Sequence, residues 1–189
     1  MNNNYPLMVN FREKSIVVVG GGTVAERKVA SLLDLGAQID IISPSLSPRL
    51  RSLVQKKKVN WQNKRFQRRD VCDAFFIIAA TDDPNVNKQV VNACSTHQLV
   101  LNVSDGNEGN VMMPAVTQRG KLTVAVSTNG ASPLVAKRIR EQISDLMDHN
   151  ELDAQIDTIA RQRADIIQHV KNRRKKKSLL EKLTKEYFM

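Results

Sequence analysis

The chain has few of the residues that mark a secreted, membrane-bound or metal-built protein. It holds two cysteines and three histidines in 189 residues. Cys72 and Cys94 are isolated thiols with no CxxC spacing or histidine nearby, and they read as core cysteines of a reducing cytoplasm. His97, His149 and His169 are scattered at no spacing that suits a metal site or a triad, so no metal is expected. No apolar stretch approaches the roughly 20 residues of a membrane span. The start, Met1 to Pro6, lacks a basic region followed by an apolar one, so a membrane partner and secretion are both unexpected and a cytoplasmic location is expected. Aromatic residues make up 4% of the chain, which leaves no stacking platform for single-stranded nucleic acid.

Acidic residues are also in deficit, with 19 Asp and Glu against 29 Lys and Arg, a net charge of +10. The bases gather at Arg49, Arg51, Lys56 to Lys58, Lys64, Arg65, Arg68 and Arg69. They gather again at Lys171 and Arg173 to Lys177. Such an excess attracts any polyanion, whether nucleic acid, acidic lipid or a polycarboxylate ligand, and a solvated surface accounts for any single run. The length suits one domain with an appendage or two small ones, and a hydrophobic fraction of 41% is that of a globular protein.

The most informative stretch is Ser15 to Lys28. An apolar run predicts a strand over 15–19, Gly20-Gly21-Gly22 breaks it, and a helix-like pattern follows over 24–35 with Gly36 as its cap. In Gly20-x-Gly22-x-x-Ala25, Gly20 permits the tight turn and Gly22 lets a phosphate approach the backbone. Ala25 lets the helix pack on the strand. The helix start near Thr23 then offers free N–H groups and a positive dipole end to a pyrophosphate. The competing reading is a glycine turn needed only for packing.

Beyond it the pattern predicts strands at 38–42, 59–62, 74–80 and 99–102, with helices at 46–57 and 84–97. That alternation argues for a parallel doubly wound sheet over about 105 residues. A turn-rich loop at 106–110 then leads to strands at 111–117 and 122–127 and to helices at 133–148, 151–170 and 178–187. A basic break separates the last two. Boundaries near 113 and 148 give three parts, 1–113, 114–148 and 149–189.

In an open parallel sheet, ligands bind beyond the carboxyl ends of the strands, where the strand order reverses. The loops 20–24, 43–45, 81–83 and 102–106 all leave that edge. Asp105 follows a strand end there, and a carboxylate in the crevice can accept a proton in step with hydride loss. Equally, it is placed to make an Asx turn before Gly106. Ser127 to Pro133, rich in hydroxyls and glycine, either binds anionic groups on backbone N–H donors or simply caps the helix through Ser132. The second strand ends in Ser43-Pro44-Ser45, without the acidic residue that would hold a ribose 2′-OH. Arg49 and Arg51 follow, so the choice between NAD and NADP stays open on this feature.

Taken together, the motifs resemble the precorrin-2 dehydrogenase / sirohydrochlorin ferrochelatase family, which includes the N-terminal module of siroheme synthases. The matching blocks are Tyr5-Pro6-Leu7, Val17 to Lys28, Ala79 to Asp83, Val86-Asn87, Asn102 to Asp105, Met113-Pro114-Ala115 and Val124 to Pro133. The resemblance implies an α/β protein: a Rossmann-type NAD-binding domain, a small dimerisation region with two extra strands, and a helical C-terminal part, working as a homodimer. It implies oxidation of precorrin-2, an acidic tetrapyrrole with eight carboxylate arms, to sirohydrochlorin in siroheme biosynthesis. It puts the catalytic carboxylate at Asp105. NAD contacts are expected at Gly20, Gly22, Thr23, Val24, Pro44, Ser45, Thr81 and Asp82, and substrate contacts at Ser127, Thr128, Asn129, Gly130 and Ser132. Whether iron insertion accompanies oxidation is left open, as is the role of 171–177. The rival is a non-catalytic NAD(H)-sensing module whose basic helices bind nucleic acid or a protein. It accounts for the glycine turn but gives Asp105 and 127–133 no task.

Overall fold

The computed structural model describes residues 4–148 and 152–188. Five short strands form one parallel sheet: β1 (Ser15–Val19), β2 (Gln38–Ile42), β3 (Asn60–Gln62), β4 (Phe76–Ala79) and β5 (Leu99–Asn102), in the order β3-β2-β1-β4-β5. Three helices connect them, α1 (Thr23–Ala30), α2 (Pro48–Gln55) and α3 (Pro84–Ala93). The arrangement is Rossmann-like. The strands' two-residue side-chain period splits the core into two clusters. Ile16, Val18, Ile39, Ile41, Phe76 and Ile78 pack with Ala25, Val29 and Leu50 of α1 and α2. Val17, Val19, Ile77 and Ala79 pack with Val90 of α3. Burial on both faces explains why the central strands read as continuous apolar runs.

Register decides where the loops emerge. Val19 pairs with Ile42 and with Ala79, and Ala79 pairs with Asn102. Four strands therefore end level, and their following loops leave one edge of the sheet. The outer side of β5 is covered by the turn after it: Asn110 and Val111 both donate backbone N–H to the Val100 carbonyl, at 3.0 and 3.1 Å. The Asn110 side chain accepts from Val100 N at 2.7 Å. A Cβ on Gly109 would lie 2.5 Å from that same carbonyl, so only glycine lets the turn lie this close.

The chain divides into two compact units between Met113 and Pro114. In the second, β6 (Ala115–Arg119) and β7 (Leu122–Val126) form an antiparallel hairpin, followed by α4 (Pro133–Asp148), α5 (Leu152–His169) and α6 (Arg173–Phe188). Arg119 and Lys121 reach Asp153 and Asp157 of α5 at 3.2 and 2.8 Å, fastening hairpin to helix. Thr117 of β6 donates to Ser144 of α4 at 3.2 Å. Among the described residues no helix is long and apolar enough to cross a membrane.

Several expectations need correction. The helix expected over 24–35 stops at Ala30, where the Ser31 hydroxyl donates to the Lys28 carbonyl at 2.8 Å and competes with the next helical bond. Leu33–Leu35 is a separate 3₁₀ turn, closed by Gly36 at φ +71°. The basic stretch is no break: α6 starts inside it at Arg173, with Asn172 accepting from Lys175 N at 3.0 Å as its cap. The first hairpin strand begins at Ala115 rather than 111, because Val111 is engaged with β5. Cys72 is exposed rather than in the core, and Cys94 is half-buried, its thiol pushed up to about 11 by burial. His149 and the boundary placed after residue 148 fall at or within 149–151, outside the described residues.

Candidate functional site at the carboxyl edge of the sheet

The glycine turn after β1 separates into three different requirements. Gly20 has φ +122°, and a Cβ there would collide with the Ala80 carbonyl. A Cβ on Gly21 would collide with the Ser45 carbonyl. Gly22 differs: its φ is −84°, open to any residue, and a Cβ built on it meets no heavy atom within 4 Å. Neither backbone strain nor packing asks for glycine at this position. It is also the N-cap of α1, which has no side-chain cap. The first-turn N–H groups that no helix can satisfy internally thus open onto free space beside a residue with no side chain. That is the cradle a pyrophosphate needs.

The loop after β2 is tied to this turn. Ser47 donates its N–H to the Gly21 carbonyl at 2.8 Å and its hydroxyl to Glu26 Oε2 at 2.6 Å. The same hydroxyl accepts from Leu50 N at 3.3 Å, capping α2. Arg49 stands 3.8 Å from the other Glu26 oxygen. Pro44 and Ser45 are exposed in the intervening loop. Ser43 is buried, and its carbonyl accepts from Trp61 Nε1 at 2.9 Å. Ser43, Pro44 and Ser45 carry no carboxylate, and that of Asp40, inside β2, accepts from Asn60 at 3.1 Å.

The loop after β4 faces the glycine turn across the switch point between β1 and β4, and the loop after β5 lies beside it, towards the sheet edge. Asp83 caps α3 through a bond from Asn85 N at 2.8 Å. Asp82 is exposed and Thr81 half-buried. Asp105 is exposed too, and its Oδ1 accepts from Asn107 N at 2.8 Å. The Asx turn is therefore present, and it engages one of the two carboxylate oxygens. Nearby, buried Asn102 donates to Glu108 at 2.9 Å, and Glu108 pairs with Lys88 at 3.4 Å.

Gly20, Gly22, Pro44, Ser45, Thr81, Asp82 and Asp105 fall in the four loops of this edge, and Thr23 and Val24 are the first residues of α1. Ser127, Thr128, Asn129, Gly130 and Ser132 belong to the second unit. In their loop the Thr128 hydroxyl accepts from Ser132 N and donates to its carbonyl, both at 3.0 Å, and Ser132 Oγ caps α4 by accepting from Val135 N at 3.3 Å. Asn129 and Gly130 are left-handed, at φ +54° and +86°, and space around Gly130 is open. Ser127 Oγ accepts from Asn129 N at 3.1 Å, so Ser127, Thr128 and Ser132 all help to shape the loop. Among the described residues no group of three His, Cys, Asp or Glu is placed to hold a metal ion.

Residues 7–115 match the family described as "Putative NAD(P)-binding", over more than half of the chain. The precorrin-2 dehydrogenase of Bacillus subtilis (strain 168) is 39% identical over 143 residues, 76% of this chain and 88% of that protein. The chain belongs to the precorrin-2 dehydrogenase family. The family member of Priestia megaterium is 38% identical over 77% of this chain and 72% of its own length. A solved family structure, that of SirC, precorrin-2 dehydrogenase, superposes with a TM-score of 0.81 at 33% identity, covering 95% of this chain and 89% of the other. Residues 119–146 match the family described as "Sirohaem biosynthesis protein central".

Four supporting residues have no role in the sequence reading, although Glu26, Asn87 and Ser104 fall within its motif blocks. Glu26 and Ser47 join the first two loops, and Asn87 and Ser104 join the other two. A polar residue facing inward from α3, between Val86 and Val90, was the available signal for Asn87. Ser104 and Ser47 carry no such mark.

Proposed function

We propose that the chain is an NAD-dependent oxidoreductase that converts precorrin-2 to sirohydrochlorin in siroheme biosynthesis. Membership of the family supports the substrate, and the observation that supports the cofactor is Gly22, a glycine with open space above it that neither its φ nor its neighbours require, at the uncapped start of α1. Gly22, Thr23 and Val24 hold the pyrophosphate, and Pro44 and Ser45 border the ribose. Thr81 and Asp82 line the other side of the switch point. The nicotinamide, when bound, supplies the acceptor for the hydride. Asp105, with one carboxylate oxygen outside its Asx turn, takes the proton that leaves the macrocycle. In the second unit, Ser127, Asn129 and Gly130 offer polar groups to substrate carboxylates, on a loop shaped by Ser127, Thr128 and Ser132.

The test is an anaerobic absorbance assay of precorrin-2 with NAD. Sirohydrochlorin and NADH should rise together, one for one. Asp105→Ala should keep NAD binding and lose roughly 10²- to 10⁴-fold in rate, the usual worth of one acid–base group. Asp105→Asn keeps the Asx turn but cannot take a proton, and should be equally slow. Near-full activity in Asp105→Asn would make the residue structural and move attention to Asp82. NAD is the preferred cofactor in this reading. Tighter binding of NADP, weakened by removing Arg49 or Arg51, would reverse that preference.

A further inference from the structure

We infer that Asn87 is a positioning residue, acting through Ser104 to hold the loop that carries Asp105; this rests on the functional reading above. Asn87 is fully buried on α3. A buried amide is costly unless bonded, and an apolar side chain would fill such a site at less cost. Every polar valence of this amide is used. Its Oδ1 accepts from Thr81 N at 3.0 Å and lies 2.8 Å from the Thr81 hydroxyl. Its Nδ2 donates to the Thr81 carbonyl at 3.1 Å and to Ser104 Oγ. Because Thr81 N–H can only donate and Thr81 C=O can only accept, the amide has one orientation, and that orientation presents a donor to Ser104.

The partners are what give the bonds meaning. None goes to the sheet or to α3 itself. They join the loop after β4, which borders the strand-order reversal, to the loop after β5 beside it. Ser104 is exposed but held twice: Asn102 Oδ1 accepts its N–H at 2.9 Å, and Asn87 grips its hydroxyl. Asp105 is the next residue, and its own Oδ1 is fixed by Asn107 N. The carboxylate is thus fixed on one side by its Asx turn and on the other through Ser104. A base displaced by about 1 Å from its working position loses on the order of 10²-fold in rate.

Ser104→Ala tests this with the least disturbance, since it removes the link to Asp105 and leaves the Asn87–Thr81 bonds in place. The expected result is a 10- to 100-fold fall in kcat with KM for NAD within about two-fold, and a melting temperature lower by only a few degrees, the cost of the Nδ2 proton left without its acceptor. Ser104→Thr, which restores the hydroxyl at an exposed position, should recover most of the rate. Unchanged kcat in Ser104→Ala overturns the inference. So does a loss of kcat that the threonine variant fails to recover, or one matched by lost NAD affinity and a larger fall in melting temperature. Amide exchange over residues 103–107 gives a readout independent of turnover. It should quicken in Ser104→Ala and return to normal in Ser104→Thr, and unchanged exchange also overturns the inference. A wild-type chain that fails to oxidise precorrin-2 removes the functional reading alone, because the exchange measurement still reads the anchor.

Discussion

Gly20 and Gly22 are two residues apart and answer to different forces. Gly20 is demanded by the protein, through φ +122° and the Ala80 carbonyl, whereas Gly22 is demanded by nothing in it. Gly20→Ala should therefore destabilise the fold by at least the roughly 1–3 kcal/mol of a strained backbone position, seen as a lowered melting temperature. Gly22→Val should fold and fail to bind NAD in a titration, because its branched side chain fills the phosphate cradle. Normal NAD binding by that variant would make the whole turn structural. The cysteines separate just as sharply. At pH 8 a thiol reagent should label exposed Cys72 first, while Cys94, pushed up to about 11 by burial, reacts slowly. Mass analysis of the singly labelled protein checks the order. The glycine turn was legible in sequence because its residue types are rare and their spacing is local. Asn87 was not, since its meaning depends on Thr81 and on Ser104, a residue 17 positions away on another loop.

Among the elements, strands were easier to read than helix ends. β1, β2 and β5 lie where the sequence predicted them, because each is a run of a few residues rich in Val, Ile or Leu, too short for a helix. The helices drifted where one side-chain hydrogen bond decides the matter: Ser31 ended α1 early, and Asn172 started α6 inside a basic run. Such bonds are local, but serine and asparagine make them in many contexts, so composition alone does not announce them. α1 also carries a charge it holds at some cost. Lys28 titrates below its ordinary 10.5, first because burial disfavours its charged form and then because Arg27 adjoins it. A lowered folded value means the unfolded chain binds the proton more tightly, so stability rises as pH climbs from that lowered value towards 10.5. Lys28→Met keeps the volume without the charge. Its melting temperature at pH 7 should equal or exceed the wild type's, and the rise at alkaline pH should be smaller.

At the scale of the molecule, α4 leaves Leu134 79% and Leu146 64% exposed, with Val135, Ile139 and Val116 of the hairpin also in solvent. We propose that a second copy covers this face, as the family resemblance implied. Sedimentation should give a dimer at micromolar concentration, and Leu134→Asp combined with Leu146→Asp should give a monomer whose NAD binding persists. A wild-type monomer would remove the proposal. The dressing of the sheet's margins narrows the ways two copies can join. On one flank Val100 already has its hydrogen-bonding partners in Asn110 and Val111, and Gly109 keeps them there. On the other, β3 offers only three residues beside the like charges of Lys56, Lys57 and Lys58. Neither margin can serve as a template for a neighbour's strand. The nucleotide-binding sheet is therefore closed to lateral growth, and concentrated enzyme should stay free of fibrous assembly until the 106–110 turn peels away.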